Sequence, residues 1–188
     1  IMSSDWSSDV CSSDLTFLNG QSQRLQLLGH GLADYDGTQE GLAVLAEHLV
    51  GGMSKPRLRL LAGRVFAAHA IEDGASFIET FRLLLRYGFG QQAAFTITAR
   101  VYRGGGLTKD AVYLRGLLEV LDYLRDDGSL ELLYVGKIAL RHVTIMRELL
   151  ARGIIAEAPL LPRFLADAGA QDRLQRVRRG LRPHDLIV

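Results

Sequence analysis

Leu114, Leu117, Leu118, Leu121 and Leu124 recur at three- and four-residue spacing between Thr108, a good N-cap, and the stop signal Asp126-Asp127-Gly128. That spacing lays one apolar stripe along a long helix and does not fit a strand, which needs a period of two. The same grammar of cap, stripe and glycine stop repeats along the chain. Thr38 reads as the cap of a helix that runs to about Val50, where Gly51-Gly52 stops it. Ser54, with Pro56 tolerated in the first turn, opens a stretch that carries Leu58, Leu61, Val65 and Ala68 on one face and ends near Gly74. Ser76 and Glu79 have capping-box spacing ahead of a helix through Leu85. Thr16 to Gly20 reads as the end of a helix, Leu25 to Leu32 as a short amphipathic stretch, and Asp34 to Gly37 as a polar turn. Phe95 to Tyr102 fits both an alternating strand and a helix, and its helical neighbours favour helix. Further helices are expected near 130–135, 137–151 and 168–179. Only 4 prolines interrupt 188 residues, so the fold class read from the pattern is mainly α, with no linker and no internal repeat in the genuine part of the chain.

Composition narrows the function classes. Charged residues make up 23% and hydrophobic ones 48%, which is ordinary for a globular domain. No apolar run reaches the ~18 residues of a membrane span. Residues 1–15 lack the basic and apolar regions of a signal peptide, so the cytoplasm is the default location. One cysteine, Cys11, leaves no disulfide framework and no cysteine zinc site within the chain. The basic tail, Arg173, Arg176, Arg178, Arg179 and Arg182, has no interleaved aromatics. It reads as a solvated helix face, not a nucleic-acid surface.

Residues 1–15 differ from everything after them. Ser-Ser-Asp occurs at 3–5, 7–9 and 12–14. The run Asp5 to Leu15 resembles the translation of a sequencing-adapter oligonucleotide. The segment is therefore read as non-native and disordered. The genuine chain, 16–188, is arginine-rich and has no cysteine.

No complete catalytic motif is present. There is no His-Glu-x-x-His, no Gly-x-Ser-x-Gly and no phosphate-binding Gly-x-x-x-x-Gly-Lys-Ser/Thr. Gly104-Gly105-Gly106 lacks the spacing of a dinucleotide fingerprint and reads as a turn. Arg100, Arg103 and Lys109 cluster around that glycine loop, either as solvated charge or as an anion site. The five histidines, His30, His48, His69, His142 and His184, are not spaced as ligands. His48 lies two turns from Glu40 on a similar face. From pattern alone, Glu40 is a first-turn glutamate serving the helix dipole.

One stretch is specific. Gln39-Glu40-Gly41-Leu42-Ala43-Val44 resembles the signature of bacterial QEGLA-motif proteins described as flavohemoglobin expression-modulating. Tyr35-Asp36, Arg100 to Gly106, Leu107 to Leu114 and Val135 to Ala139 resemble further blocks of that family in the same order. The resemblance covers essentially 16–188. The family in turn resembles the metallo-carboxypeptidases that trim C-terminal tyrosine or glutamates from tubulin.

The resemblance implies the C-terminal helical portion of an α+β zincin-like metallopeptidase domain. It implies zinc held by a His-Glu-x-x-x-His helix and by a glutamate on a later helix, here Glu40. Such a site keeps one position open for a water whose pKa falls to ~7. Thr16-x-x-Asn19-Gly20 matches the residues just after the second histidine, which falls about where Ser13 stands. The chain as given is accordingly expected to hold no catalytic zinc and to be inactive. The implied partner is a peptide or protein C-terminus, whose carboxylate an arginine pairs bidentately. Arg100, Arg103, Lys109 and Tyr113 are the substrate-side candidates. No nucleic acid or membrane partner is expected. The alternative is a non-enzymatic regulatory protein that modulates flavohemoglobin expression.

Overall fold

The computed structural model describes residues 12–103 and 107–187, the side chains of 107–109 excepted. Nine α-helices run through them in the order α1 (Ser13–Ser22), α2 (Leu27–His30), α3 (Tyr35–Leu49), α4 (Lys55–Glu72), α5 (Phe77–Arg86), α6 (Gln91–Tyr102), α7 (Leu107–Arg125), α8 (Val143–Ala151) and α9 (Ala168–Arg178). Short 3-10 turns lie at Glu131–Tyr134, Leu140–His142, Arg163–Ala166 and Pro183–Leu186. Among the described residues there is no strand, and no helix is long and apolar enough to cross a membrane. The fold is mainly α, as the sequence pattern requires. Most of the adapter-like run lies outside the described residues; Ser13, Asp14 and Leu15 form the first turn of α1.

The packing divides into two compact units, one formed by residues up to Met53 together with Arg115 onward, the other by Ser54–Leu114. In the first unit, α1 is fastened by amide side chains. Asn19 donates to the carbonyls of Tyr134 (2.7 Å) and Leu160 (2.8 Å) and accepts from the Leu160 N–H (3.0 Å). Gln23 donates to the Ala156 carbonyl and accepts from the Ala156 N–H. Buried side chains can satisfy a strandless stretch of backbone in this way, and groups so buried must find partners.

Helix ends depart from the sequence reading at several points: Thr108 lies inside α7 and does not cap it, 130–135 holds only a 3-10 turn, and the helix expected from 137 begins at Val143. Asn19-Gly20 does not stop α1, which continues to Ser22. Gly20 is small because the backbone of Leu28 and Gly29 passes against it, and a Cβ there would clash. Thr38 does not cap α3, which begins at Tyr35 after Asp34 in the left-handed region. The Thr38 hydroxyl is buried and accepts from the Leu140 N–H at 3.0 Å. Both residues serve distant backbone, which local spacing does not reveal.

In the second unit, Ser54 caps α4 by accepting from the Arg57 N–H, and Ser76 and Glu79 form the expected capping box on α5. Residues 95–102 are helical. The core is Ala67, Ala68, Leu84, Ala94, Ile97 and Val101. Tyr102 closes it at one end: its ring packs edge-on to Phe77, and its hydroxyl bonds Thr80 (2.9 Å) and the Ala75 carbonyl.

Candidate active site

Glu40 is the sixth residue of α3, one turn beyond the first, and is half-buried. Helix-terminus charge acts within the first turn, so the dipole role does not describe it. Its neighbours on α3 are fixed from three sides. Thr38 bonds the 139–140 backbone. Gln39 is buried and accepts from the Thr16 hydroxyl at 2.7 Å. Gly41 lies against the backbone of Gly116 on α7, so close that a Cβ would collide with the Gly116 carbonyl. The Thr16–Gln39 contact sets the first turns of α1 alongside the Gln39-Glu40 turn of α3. A residue one turn before Thr16, at position 13, shares its face of α1.

Thr16-x-x-Asn19 thus has a structural explanation in full: Thr16 docks α3, and Asn19 docks the backbone at 134 and 160. His48 is buried, but its Nδ1 bonds the Leu186 carbonyl at 2.8 Å, tying the C-terminal turn to α3. Burial lowers its pKa, and the Arg173 and Arg176 charges push it the same way against that hydrogen bond. Arg173 and Arg178 are half-buried, not solvated as the sequence suggested. Arg173 donates to the Leu49 carbonyl at the end of α3, and Arg178 to the Gly128 carbonyl.

The substrate-side candidates belong to the second unit. Arg100, near the end of α6, donates from Nε to Asp110 of α7 at 2.7 Å, and Asp110 is 3% exposed. Arg103 is exposed at the end of α6. The side chain of Lys109 lies outside the described residues. The ring of Tyr113 stands under the guanidinium of Arg64 on α4, with 6.0 Å to the centroid. Arg100 and Tyr113 each meet a residue that sequence reading did not place in the site, Asp110 and Arg64 respectively. Asp110 reads as a first-turn dipole partner in the sequence. Arg64 carries a visible signal: it falls between Leu61 and Ala68 in the apolar stripe of α4, where both neighbours are buried.

Glu40 is the one zinc-ligand candidate placed by the motif. Among the described residues, no three His, Cys, Asp or Glu side chains converge as a metal site would need. The described residues do not by themselves fit a zinc ion. No curated protein matches the chain. Residues 14–182 match the family model described as microtubule-associated tyrosine carboxypeptidase, a match that takes in the QEGLA stretch, Arg64, Arg100 and Tyr113. The chain belongs to the microtubule-associated tyrosine carboxypeptidase family, as a carboxypeptidase-like domain.

Proposed function

We propose that this chain is the downstream part of a zinc-dependent carboxypeptidase that acts at peptide or protein C-termini within an α+β zincin-like domain. Glu40 is the zinc ligand it contributes. The two histidines belong to a helix that would run into α1, replaced here by the adapter-like run, so the chain as it stands is inactive. Arg100, Arg103, Lys109 and Tyr113 lie on the substrate side. The observation that carries the reading is the Thr16–Gln39 hydrogen bond. It supports a site shared by the beginning of α1 and the Glu40 turn of α3, where the family pattern requires its histidines and glutamate to meet. Bound zinc would supply an activated water at neutral pH.

The test starts from the gene. Amplification of independently prepared genomic DNA across the codon for Thr16 should return an upstream frame carrying His-Glu-x-x-x-His. In protein made from that frame, elemental analysis should find about one zinc per chain. Glu40→Gln should lower both zinc content and hydrolysis of a free-acid peptide ending in tyrosine. Recovery of the Ser-Ser-Asp run from fresh DNA, or normal zinc and turnover in Glu40→Gln, would reject the reading.

A further inference from the structure

Among the described residues of the second unit, Arg64 carries a charge with no ion-pair partner. Arg64 projects from the buried face of α4, next in the stripe to Leu61 and Ala68. It is half-buried, and its Nε is fully buried with no hydrogen-bond partner. The Tyr113 ring lies beneath its guanidinium, and the side chain forms no ion pair among the described residues. The carboxylate nearby, Asp110, is taken by Arg100. Burial weakens the hold of Arg64 on its proton most; the charges of Arg100 and Arg57 act the same way, against Asp110 and Tyr113.

A cation in this setting is costly. Apolar packing would fill the stripe more stably, so the residue is better understood as waiting for an anion. Tyr113 gives the planar group a face to rest on. The sealed Nε leaves the two terminal nitrogens to meet a carboxylate end-on.

We propose that Arg64, backed by Tyr113 and flanked by Arg100, is the residue that takes the terminal carboxylate of a peptide bound by this domain. Arg100 is a positioning residue, held by Asp110. That the anion is a peptide terminus rests on the carboxypeptidase reading; the anion site itself does not.

Binding to the 188-residue chain tests it without turnover. N-acetylglycyltyrosine, its amide, and N-acetylglutamyltyrosinamide are titrated by calorimetry in EDTA. The free acid should bind about tenfold tighter than the amide, the worth of one charged hydrogen bond. The side-chain acid should bind like the amide. Arg64→Met should reduce the acid-to-amide ratio to about one while leaving the melting temperature unchanged or higher, and Arg64→Lys should keep part of the ratio. Arg115→Met, at an exposed pair with Glu119, should change nothing. Equal binding of acid and amide, no binding of either, a preference for the side-chain acid, or an Arg64→Met variant that keeps the preference would each overturn the proposal. A lower melting temperature with the ratio intact would mark Arg64 as structural. Because the assay contains no metal and reads no hydrolysis, failure of the zinc reading would leave its result standing.

Discussion

Gly41 and Gly116 meet backbone to backbone: a Cβ on Gly41 would collide with the Gly116 carbonyl, and one on Gly116 with the Gly37 carbonyl. The crossing of α3 and α7 in the first unit is thus set by two absent side chains, and the glycine of the QEGLA stretch has a packing role beside Glu40. Gly41→Ala and Gly116→Ala should each destabilise by about 1–3 kcal/mol through overpacking. Gly37→Ala, whose Cβ meets nothing within 4 Å, should stabilise by roughly 0.5–1 kcal/mol, because glycine inside a helix costs that much. Urea unfolding of the three variants reads the difference, and an unchanged midpoint for Gly41→Ala would contradict the close crossing.

Asn19 offers a second measurement. Its amide holds the Tyr134 carbonyl and both backbone groups of Leu160. Asn19→Ala should cost at least ~2 kcal/mol, since each buried group left unpaired costs about 1–3 kcal/mol. Asn19→Asp keeps the acceptor for the Leu160 N–H but turns an anion toward two carbonyls, so it should be no milder at neutral pH. Hydrogen exchange at the Leu160 amide should accelerate in both.

His48 makes stability depend on pH. Its folded pKa is lowered by burial and by Arg173 and Arg176. The unfolded chain then takes up a proton first, near the ordinary value of about 6.5. Its contribution is full above that value and is lost as the pH falls through the lower folded one. Asn in this place keeps an amide donor near Nδ1 and does not titrate. The difference in unfolding free energy between the parent and His48→Asn should therefore shift against the parent between pH 7 and pH 5. A difference that does not change with pH would show that His48 titrates alike in both states.

Arg100 and Asp110 form a pair in which one partner is sealed and the other is partly exposed. Arg100→Ala strands the buried carboxylate and should cost about 3 kcal/mol. Asp110→Asn in that background should recover most of the loss, because a neutral amide is cheaper to bury than a charge. A double-mutant cycle by thermal unfolding reads the coupling. Additive losses would mean that the ion pair contributes nothing.

The helices were legible because their signals are local. Ser54, Ser76 with Glu79, and the leucines of α7 act through neighbours three or four residues away, the range that a periodic pattern encodes. The leucine stripe of α7 buries Leu117, Leu121 and Leu124 and leaves Leu118 exposed. The QEGLA stretch, read as a motif, likewise identified the family and singled out Glu40.

Tertiary structure decided what those residues do. Gly20, Thr38, Asn19 and Arg173 look in sequence like a helix stop, a cap, a second stop and a surface charge. Each instead meets backbone remote in sequence, as when Asn19 meets Leu160 across 141 positions. Arg64 became a site residue only when α6 and α7 brought Arg100, Asp110 and Tyr113 around it. Contacts of that separation leave no period in the chain, since nothing constrains the spacing between partners that only folding brings together. The sequence by itself determined most of the helical segments and which family they build; the packing of those helices determined which buried polar groups are satisfied and which, on Gln39, His48 and Arg64, are left without a partner.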